Sequence, residues 1–239
     1  MTATLIGVGV GPGDPEHLTL RAVRTLQEAD RVVAPAVSID VEGRAESIVR
    51  RAVPGLTVER IAFEMAPGAS ARAETARRAA ITIVEWLDTT PRIAFVTLGD
   101  PNVYSTFSAV AAEVRALAPA VDVQTVPGIM AFQDLAARAG TVLLDDVESL
   151  TLVTALEGPA AAIEALTDPR RAVVVYKGGR HVPAIAQALV DSGRLPGAVL
   201  GELLGLSGER ISPMSEVAGE TFSYLATIVV PPRAAGDAA

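Results

Sequence analysis

The sequence contains no cysteine, only two histidines and few aromatic residues, which make up 4% of its 239 positions. Without cysteine the chain forms neither disulfides nor thiolate metal sites, and neither His17 nor His181 has a companion ligand at metal-binding spacing. The sequence therefore predicts no protein-bound metal. The scarcity of aromatic rings also disfavours an extended surface on which nucleic-acid bases stack.

Positive charge and long apolar runs are scarce as well. The chain has 20 Lys and Arg against 28 Asp and Glu, a formal charge of −8. A field of that sign repels nucleic-acid phosphates, so we expect no nucleic-acid partner. No apolar run approaches the roughly 20 residues that span a bilayer, and no signal segment opens the sequence. We therefore expect no membrane partner and a cytoplasmic location.

What is present is an alternation of short β-branched runs with helical patterns, in a chain that is half apolar. This alternation is typical of α/β units with a largely parallel sheet. Residues 93–98 are almost entirely apolar and predict a strand that is buried on both faces. The predicted strands are residues 4–8, 31–34, 57–62, 92–98, 121–126, 150–155, 172–176, 198–203 and 225–230.

Two helical stretches have the clearest periodicity. Residues 70–88 carry apolar residues at spacings of three and four, with Ser70 as a predicted N-cap. A second stripe of apolar residues at helical spacing precedes residue 31. The two stripes are Ala73, Ala76, Ala80, Val84 and Leu87, and Leu18, Ala22, Val23, Leu26 and Ala29.

The most plausible domain boundary lies where a predicted strand ends before Pro127 and Gly128. We therefore predict one α/β domain over residues 1–126 and a second over residues 127–233. The final residues, 234–239, are small, polar or acidic and are predicted to be disordered.

Three turns rich in glycine and proline each follow a predicted strand, where α/β proteins bind ligands. Residues 7–15 read Gly-Val-Gly-Val-Gly-Pro-Gly-Asp-Pro and lack the glycine spacing of a dinucleotide fingerprint. Their small side chains suit either a close approach to a ligand or a tight structural connection. In the second turn, Gly99-Asp100-Pro101, Asp100 is expected to bind a ligand, to cap a helix beginning near Val103, or both. The third, Pro127-Gly128-Ile129, is by itself an ordinary turn.

Taken in order, these turns and the closing run at residues 226–230 resemble the tetrapyrrole (corrin/porphyrin) methylases. Residues 104–107, 133–143, 208–211 and 224–231 are most similar to the branch that methylates C20 of precorrin-2 or cobalt-factor II. Two positions depart from that branch: Ala34, where tyrosine is frequent, and Met130, where serine or threonine is commoner. Both departures are expected to touch the cleft.

The resemblance implies an α/β fold of two domains, with a mostly parallel N-terminal sheet and a mixed C-terminal sheet. It implies a homodimer that binds S-adenosylmethionine in the cleft between the domains and methylates an early corrin precursor at C20 in cobalamin biosynthesis. The alternatives are a family enzyme with another methylation position or acceptor, and a non-catalytic binding protein of the same fold.

The resemblance also implies which residues form the site. Asp100 and Tyr104 are catalytic candidates by position only, and Arg44, Arg138, Arg180 and Arg210 could meet substrate carboxylates. The implied cofactor-binding residues are Pro12, Gly99, Asp100, Val103, Ser105, Thr106, Met130, Ala131, Tyr176, Lys177, Leu203, Ala226 and Thr227.

Overall fold

The chain divides into two units, Met1–Met130 and Ala131–Ala239, in a computed structural model that describes residues 3–63 and 69–233. This division lies four residues after the predicted domain end at Val126. The predicted disordered tail at residues 234–239 lies outside the described residues.

Strands and helices alternate in the first unit, as the sequence predicts. The strands of its described part are β1 (Thr4–Gly9), β2 (Arg31–Ala36), β3 (Glu59–Ala62), β4 (Arg92–Thr97) and β5 (Asp122–Val126). Its α-helices are α1 (Leu20–Glu28), α2 (Arg44–Ala52), α3 (Ala69–Leu87) and α4 (Thr106–Leu117).

The five strands form a parallel sheet in the order β3-β2-β4-β1-β5. Apolar residues of α1 and α2 pack on one face of the sheet, and those of α3 and α4 pack on the other. Burial on both faces explains why β4 is apolar almost throughout, as predicted.

The strand order creates a switch point between β1 and β4. The connection from β1 to β2 runs through α1 on one face, whereas the connection from β4 to β5 runs through α4 on the other. In open α/β sheets the crevice at such a point, outside the carboxyl ends of the strands, is where ligands bind. The turns that follow Gly9 and Thr97 lie at these carboxyl ends.

The second unit begins with a helix and contains a mixed sheet. Its helices in the described part are α5 (Ala131–Ala139), α6 (Ala160–Ala165), α7 (Val182–Asp191) and α8 (Met214–Val217). Its strands are β6 (Ser149–Thr154), β7 (Arg171–Tyr176), β8 (Val199–Glu202), β9 (Arg210–Pro213) and β10 (Ala226–Val230).

These strands follow the order β6-β7-β10-β8-β9, with β6 parallel to β7 and the other pairs antiparallel. Leu135 of α5 packs with Val174 and Val229 on one face, and apolar residues of α6, α7 and α8 form the core on the other. A mostly parallel first sheet and a mixed second sheet confirm the predicted fold class.

Four local predictions were wrong. The strand β9 was missed, because four residues ending in proline carry little strand signal. Ser70 lies inside α3 and is not its N-cap, and Ala73 is exposed, because the buried stripe of this helix includes Ala76, Ala79, Ala80 and Ile83. Helix α4 begins at Thr106, not near Val103, and Ser105 is its N-cap.

Candidate functional site

Three glycine-containing turns of the first unit touch one another at the switch point. The amide of Gly99 donates a hydrogen bond to the carbonyl oxygen of Gly11 at 2.9 Å. A Cβ placed on Gly9 would lie 2.5 Å from the Gly99 carbonyl oxygen and 2.6 Å from the Gly128 amide nitrogen. Contacts this close exclude any side chain at Gly9, and a Cβ on Gly128 would likewise overlap Gly99.

Gly99 is required for a different reason. Its φ is 65°, in the left-handed region that favours glycine, and a Cβ on it would meet no atom within 4 Å. The backbone of this turn therefore borders open space at the carboxyl end of β4. This is a surface on which the main chain can approach a ligand. Pro12, in the facing turn after β1, is buried.

Asp100 fastens two of the turns to each other. Its Oδ1 accepts a hydrogen bond from the Asn102 amide at 2.8 Å, and its Oδ2 accepts one from the Gly128 amide at 3.1 Å. Asn102 adds a second link, because its Nδ2 donates to Thr125 Oγ1 at 3.2 Å. The predicted alternative, in which Asp100 caps the next helix, is wrong, because Ser105 Oγ accepts from the Phe107 amide at 2.9 Å.

The residues between the Gly-Asp-Pro turn and α4 complete this part of the site. The Val103 amide donates to the Asp100 carbonyl oxygen at 3.4 Å, and Thr106 is the first residue of α4. Tyr104 is half-exposed and has a φ of 50°. A bulky residue with positive φ is rare, and such strain is concentrated at functional sites.

Five predicted residues of the second unit lie together at one end of its sheet. Tyr176 ends β7 and pairs with Thr227 of β10, while Ala226 pairs with Glu202 at the end of β8. The Lys177 amide donates to the carbonyl oxygen of Ala226 at 3.2 Å, and Leu203 directly follows β8. The topology thus brings together Tyr176, Lys177, Leu203, Ala226 and Thr227.

Backbone strain marks this second cluster too. Lys177 has a φ of 60° and Leu203 a φ of 52°. Together with Tyr104 they are three of the four non-glycine residues with positive φ among those described, the fourth being Asp146. The start of α5 lies nearby, because the Phe132 amide, next to Ala131, donates to the Tyr176 hydroxyl at 3.4 Å. Strain at three predicted site residues supports a functional role for these loops.

Comparison with known proteins identifies the family. The sequence profile of the tetrapyrrole (corrin/porphyrin) methylases matches residues 4–217, which is most of the chain. The chain belongs to this family. It is therefore an S-adenosylmethionine-dependent methyltransferase.

Two relatives of this methylase are named for methylation at C20. It is 30% identical over 236 residues to precorrin-2 C(20)-methyltransferase of a Sinorhizobium species, covering 95% of this chain and 94% of the relative. It is 27% identical over 211 residues to cobalt-precorrin-2 C(20)-methyltransferase of Salmonella typhimurium, covering 88% and 87%.

A solved structure shares the fold. The uroporphyrin-III C-methyltransferase of Thermus thermophilus, solved with S-adenosylhomocysteine, superposes with a TM-score of 0.64 at 23% identity. The match covers 95% of this methylase and 96% of that chain.

Two of the arginines predicted to meet substrate carboxylates are held by carboxylates of the methylase itself. Arg138 forms a two-armed ion pair with Glu209, and Arg210 forms one with Glu220 at 2.6 and 3.0 Å. The structure therefore does not support the prediction that Arg138 and Arg210 meet substrate carboxylates. Neither Arg44 nor Arg180 forms an ion pair or a side-chain hydrogen bond with any described residue, and their role stays a prediction.

Ala34 also lies elsewhere than expected. Strand β2 continues to Ala36, beyond the predicted end at residue 34, so Ala34 is inside the strand and fully buried in the core with α1 and α2. Met130, the other departure, lies directly before α5 and is partly exposed.

Asn102 and Thr125 were not predicted to belong to the site, and the turn that contains Gly128 was predicted by itself to be an ordinary one. An asparagine in a Gly-Asp-Pro turn was the available signal, but its partner Thr125 is 23 residues away and becomes a neighbour only through strand pairing. Within residues 3–63 and 69–233, no group of three or more His, Cys, Asp or Glu side chains could hold a metal ion. None of the helices described is long and apolar enough to cross a membrane.

Proposed function

We propose that this methylase transfers a methyl group from S-adenosylmethionine to C20 of precorrin-2 or its cobalt complex, in cobalamin biosynthesis. The observation that carries the proposal is the match to the Sinorhizobium relative, which carries that name and spans 95% of the chain. The Salmonella relative is named for the cobalt form of the acceptor, and its name supports methylation at the same carbon.

We further propose that the cofactor contacts the turn containing Gly99, Asp100 and Val103. The fit rests on the backbone of Gly99, which borders open space because a Cβ there would meet nothing within 4 Å. The other proposed contacts lie at strand ends or at the starts of helices, where backbone amides and carbonyls are available. They are Pro12, Ser105, Thr106, Met130, Ala131, Tyr176, Lys177, Leu203, Ala226 and Thr227.

The chain's task in this reaction is alignment. S-adenosylmethionine supplies, when bound, a methyl carbon on a positively charged sulfur, which an electron-rich bridge carbon of the acceptor attacks. Methyl transfer of this kind needs the donor and acceptor to be held in line and water to be kept away. Turns fixed by hydrogen bonds, such as the pair that Asp100 joins, hold a ligand in one position at low entropic cost.

We propose different roles for the two catalytic candidates. Asp100 is a positioning residue, because each of its carboxylate oxygens already accepts a backbone N–H. Tyr104 is half-exposed near the end of the loop before α4 and has a positive φ, and it is the candidate to contact the acceptor or to take its proton. The homodimer, the cytoplasmic location and a cofactor cleft between the two units stay predictions.

The test is an acceptor assay with purified protein. We expect S-adenosylhomocysteine to form with precorrin-2 or its cobalt complex, and not with uroporphyrinogen III under the same conditions. Turnover with uroporphyrinogen III alone would contradict the C20 assignment while keeping the family. No turnover with any of the three acceptors would contradict the proposal and favour a family enzyme with another acceptor.

A further inference from the structure

A second candidate binding site lies in the first unit, beside α1. A cavity of about 420 Å³ is lined by α1, the start of β4 and strands β1 and β5. Its polar lining residues are Arg21, Arg24, Thr25, Glu28, Arg92 and Gln124. A volume of this size is in the range of small-molecule sites.

One end of the cavity, at Arg92, is separated from the proposed cofactor turn by the length of a strand. Arg92 is the first residue of β4, and the turn at Gly99 follows the end of that strand at Thr97. Six strand residues at about 3.3 Å each place Arg92 about 20 Å from that turn. The other end of the cavity reaches Val126, which ends β5 directly before the Pro127-Gly128 turn. None of the residues that line the cavity is among the proposed cofactor contacts.

The charge in this cavity is opposite to that of the chain. Three guanidinium groups line it against the single carboxylate of Glu28, whereas the whole chain carries a formal charge of −8. Arg21 and Arg24 are separated by three positions on α1, which places them on one face of the helix. Both are exposed and neither has an ion pair or a side-chain hydrogen bond with any residue that the structure describes.

Arg92 is only partly satisfied in the same cavity. Its Nη2 lies 3.4 Å from Glu28 Oε2, but its Nε is buried and has no hydrogen-bond partner within the described parts of the chain. A buried N–H without an acceptor is costly, and an anionic oxygen would satisfy it. Exposed Gln124 on β5 lies on the other side of the cavity. Its Nε2 donates one hydrogen bond to Asp122 Oδ2 at 2.6 Å and has a second N–H to offer.

We propose that this cavity binds a small polyanion that carries two or more phosphate or carboxylate groups. Arg21 and Arg24 meet the anionic groups, because guanidinium forms paired hydrogen bonds with either kind of oxyanion. Arg92 and Gln124 complete the site from the sheet. The proposal is independent of the methyl acceptor, because none of these residues belongs to the proposed methyl-transfer site.

The test measures binding of pyrophosphate and of citrate by calorimetry at constant ionic strength. We expect one of the two to bind with one site per chain, and the stronger probe tells phosphate from carboxylate. The variant Arg21→Gln/Arg24→Gln should weaken that binding by at least about tenfold. The control variant Arg77→Gln/Arg78→Gln, which removes two exposed arginines from α3, should leave it within about twofold.

Three outcomes would overturn the proposal. They are no binding of either probe, equal weakening in both double variants, and competition between the bound probe and S-adenosylhomocysteine, which would place the probe in the cofactor site. The Arg21→Gln/Arg24→Gln protein should keep its circular dichroism spectrum and its affinity for S-adenosylhomocysteine, so that loss of the probe is not loss of fold.

Discussion

At the residue scale, the three glycines of the site have two distinct functions. Gly9 and Gly128 allow turns to touch, because a side chain on either would overlap neighbouring backbone. Gly99 has open space beside it, and a glycine is favoured there instead by its left-handed conformation. This distinction makes Gly99 the more informative position to change, because a side chain there disturbs the ligand more than the packing.

We predict that Gly99→Val lowers the affinity for S-adenosylhomocysteine by about a hundredfold, since the branched side chain occupies the space beside the turn. The matched control is Gly55→Val. Gly55 also has a positive φ, 86°, with no atom within 4 Å of a Cβ, so the same backbone strain arises far from the site. Calorimetry on both variants checks the prediction, and equal affinities would remove Gly99 from the cofactor site.

Asp100 provides the second prediction at this scale. Asp100→Asn replaces one of the two carboxylate oxygens that accept backbone N–H groups by an amide NH2, so we expect the KM for S-adenosylmethionine to rise by about tenfold. We expect kcat to change little and the pH profile of kcat to keep its shape. Asp88 is exposed, so Asp88→Asn is the control for the loss of one negative charge.

Steady-state kinetics distinguish this positioning role from proton transfer. A general base contributes about a hundredfold to ten-thousandfold in rate. A fall in kcat of that size in Asp100→Asn, with KM unchanged and one limb of the pH profile lost, would show that Asp100 removes a proton.

At the element scale, an ion pair joins α5 to the loop between β8 and β9. Arg138 of α5 holds both oxygens of Glu209, and Glu209 Oε2 also accepts the Gly205 amide at 2.6 Å. The hydrogen bond from Arg138 is the main cause that lowers the pKa of Glu209 from its ordinary value of 4.5 to about 2. Burial opposes this effect, and the Gly205 amide reinforces it.

The pKa shift gives a stability prediction with a defined sign. Because the pKa of folded Glu209 is depressed, its stabilisation is fully present above about pH 4.5 and is lost as the pH falls towards 2. We expect Glu209→Gln to lower the free energy of unfolding by about 1–3 kcal/mol at pH 7. Urea denaturation between pH 3 and pH 7 should show this difference shrinking as the solution becomes more acidic.

Glu85→Gln is the control, because Glu85 is an exposed carboxylate on α3. It should change the free energy of unfolding by less than about 0.5 kcal/mol across this range. A difference between Glu209→Gln and the natural protein that does not depend on pH would contradict the role of the Glu209 charge.

The helices and strands themselves were largely predictable, because each type has a recognisable pattern of apolar residues in the sequence. Strands β4 and β7 are continuous apolar runs, and both were found within one residue of their observed ends. Arg194 shows what was not predictable. This arginine is 4% exposed and donates to the carbonyl oxygens of Arg171 and Pro231, whereas the residue type is normally at the surface.

The same contrast applies to the candidate site. Its turns were visible as glycine and proline patterns, and two clusters of predicted residues lie at strand ends. The contacts between turns were not visible, because Asp100 meets Gly128 across 28 positions of sequence. Likewise, Arg50 and Arg60 hold the carboxylate of fully buried Glu46 of α2. Arg50 is at the local i,i+4 spacing, but no local pattern indicates the contact with Arg60 of β3, 14 positions away.

At the scale of the whole molecule, the chain has two five-stranded sheets and belongs to the tetrapyrrole methylases, for which we propose one reaction. Family membership does not choose the acceptor or the methylated carbon, since a solved structure with the same fold is named as a uroporphyrin-III C-methyltransferase. Ala34 no longer weakens the C20 assignment, because it is a core residue. Met130 is the remaining departure and lies between the Gly128 turn and α5.

The position of the transferred methyl group tests the central claim most directly. Precorrin-2 and, separately, its cobalt complex are incubated with the enzyme and S-adenosylmethionine labelled with ¹³C in the methyl group, and the product is analysed by NMR. The account predicts that the label appears at C20 of one acceptor or of both. Label at any other carbon of the macrocycle would contradict it.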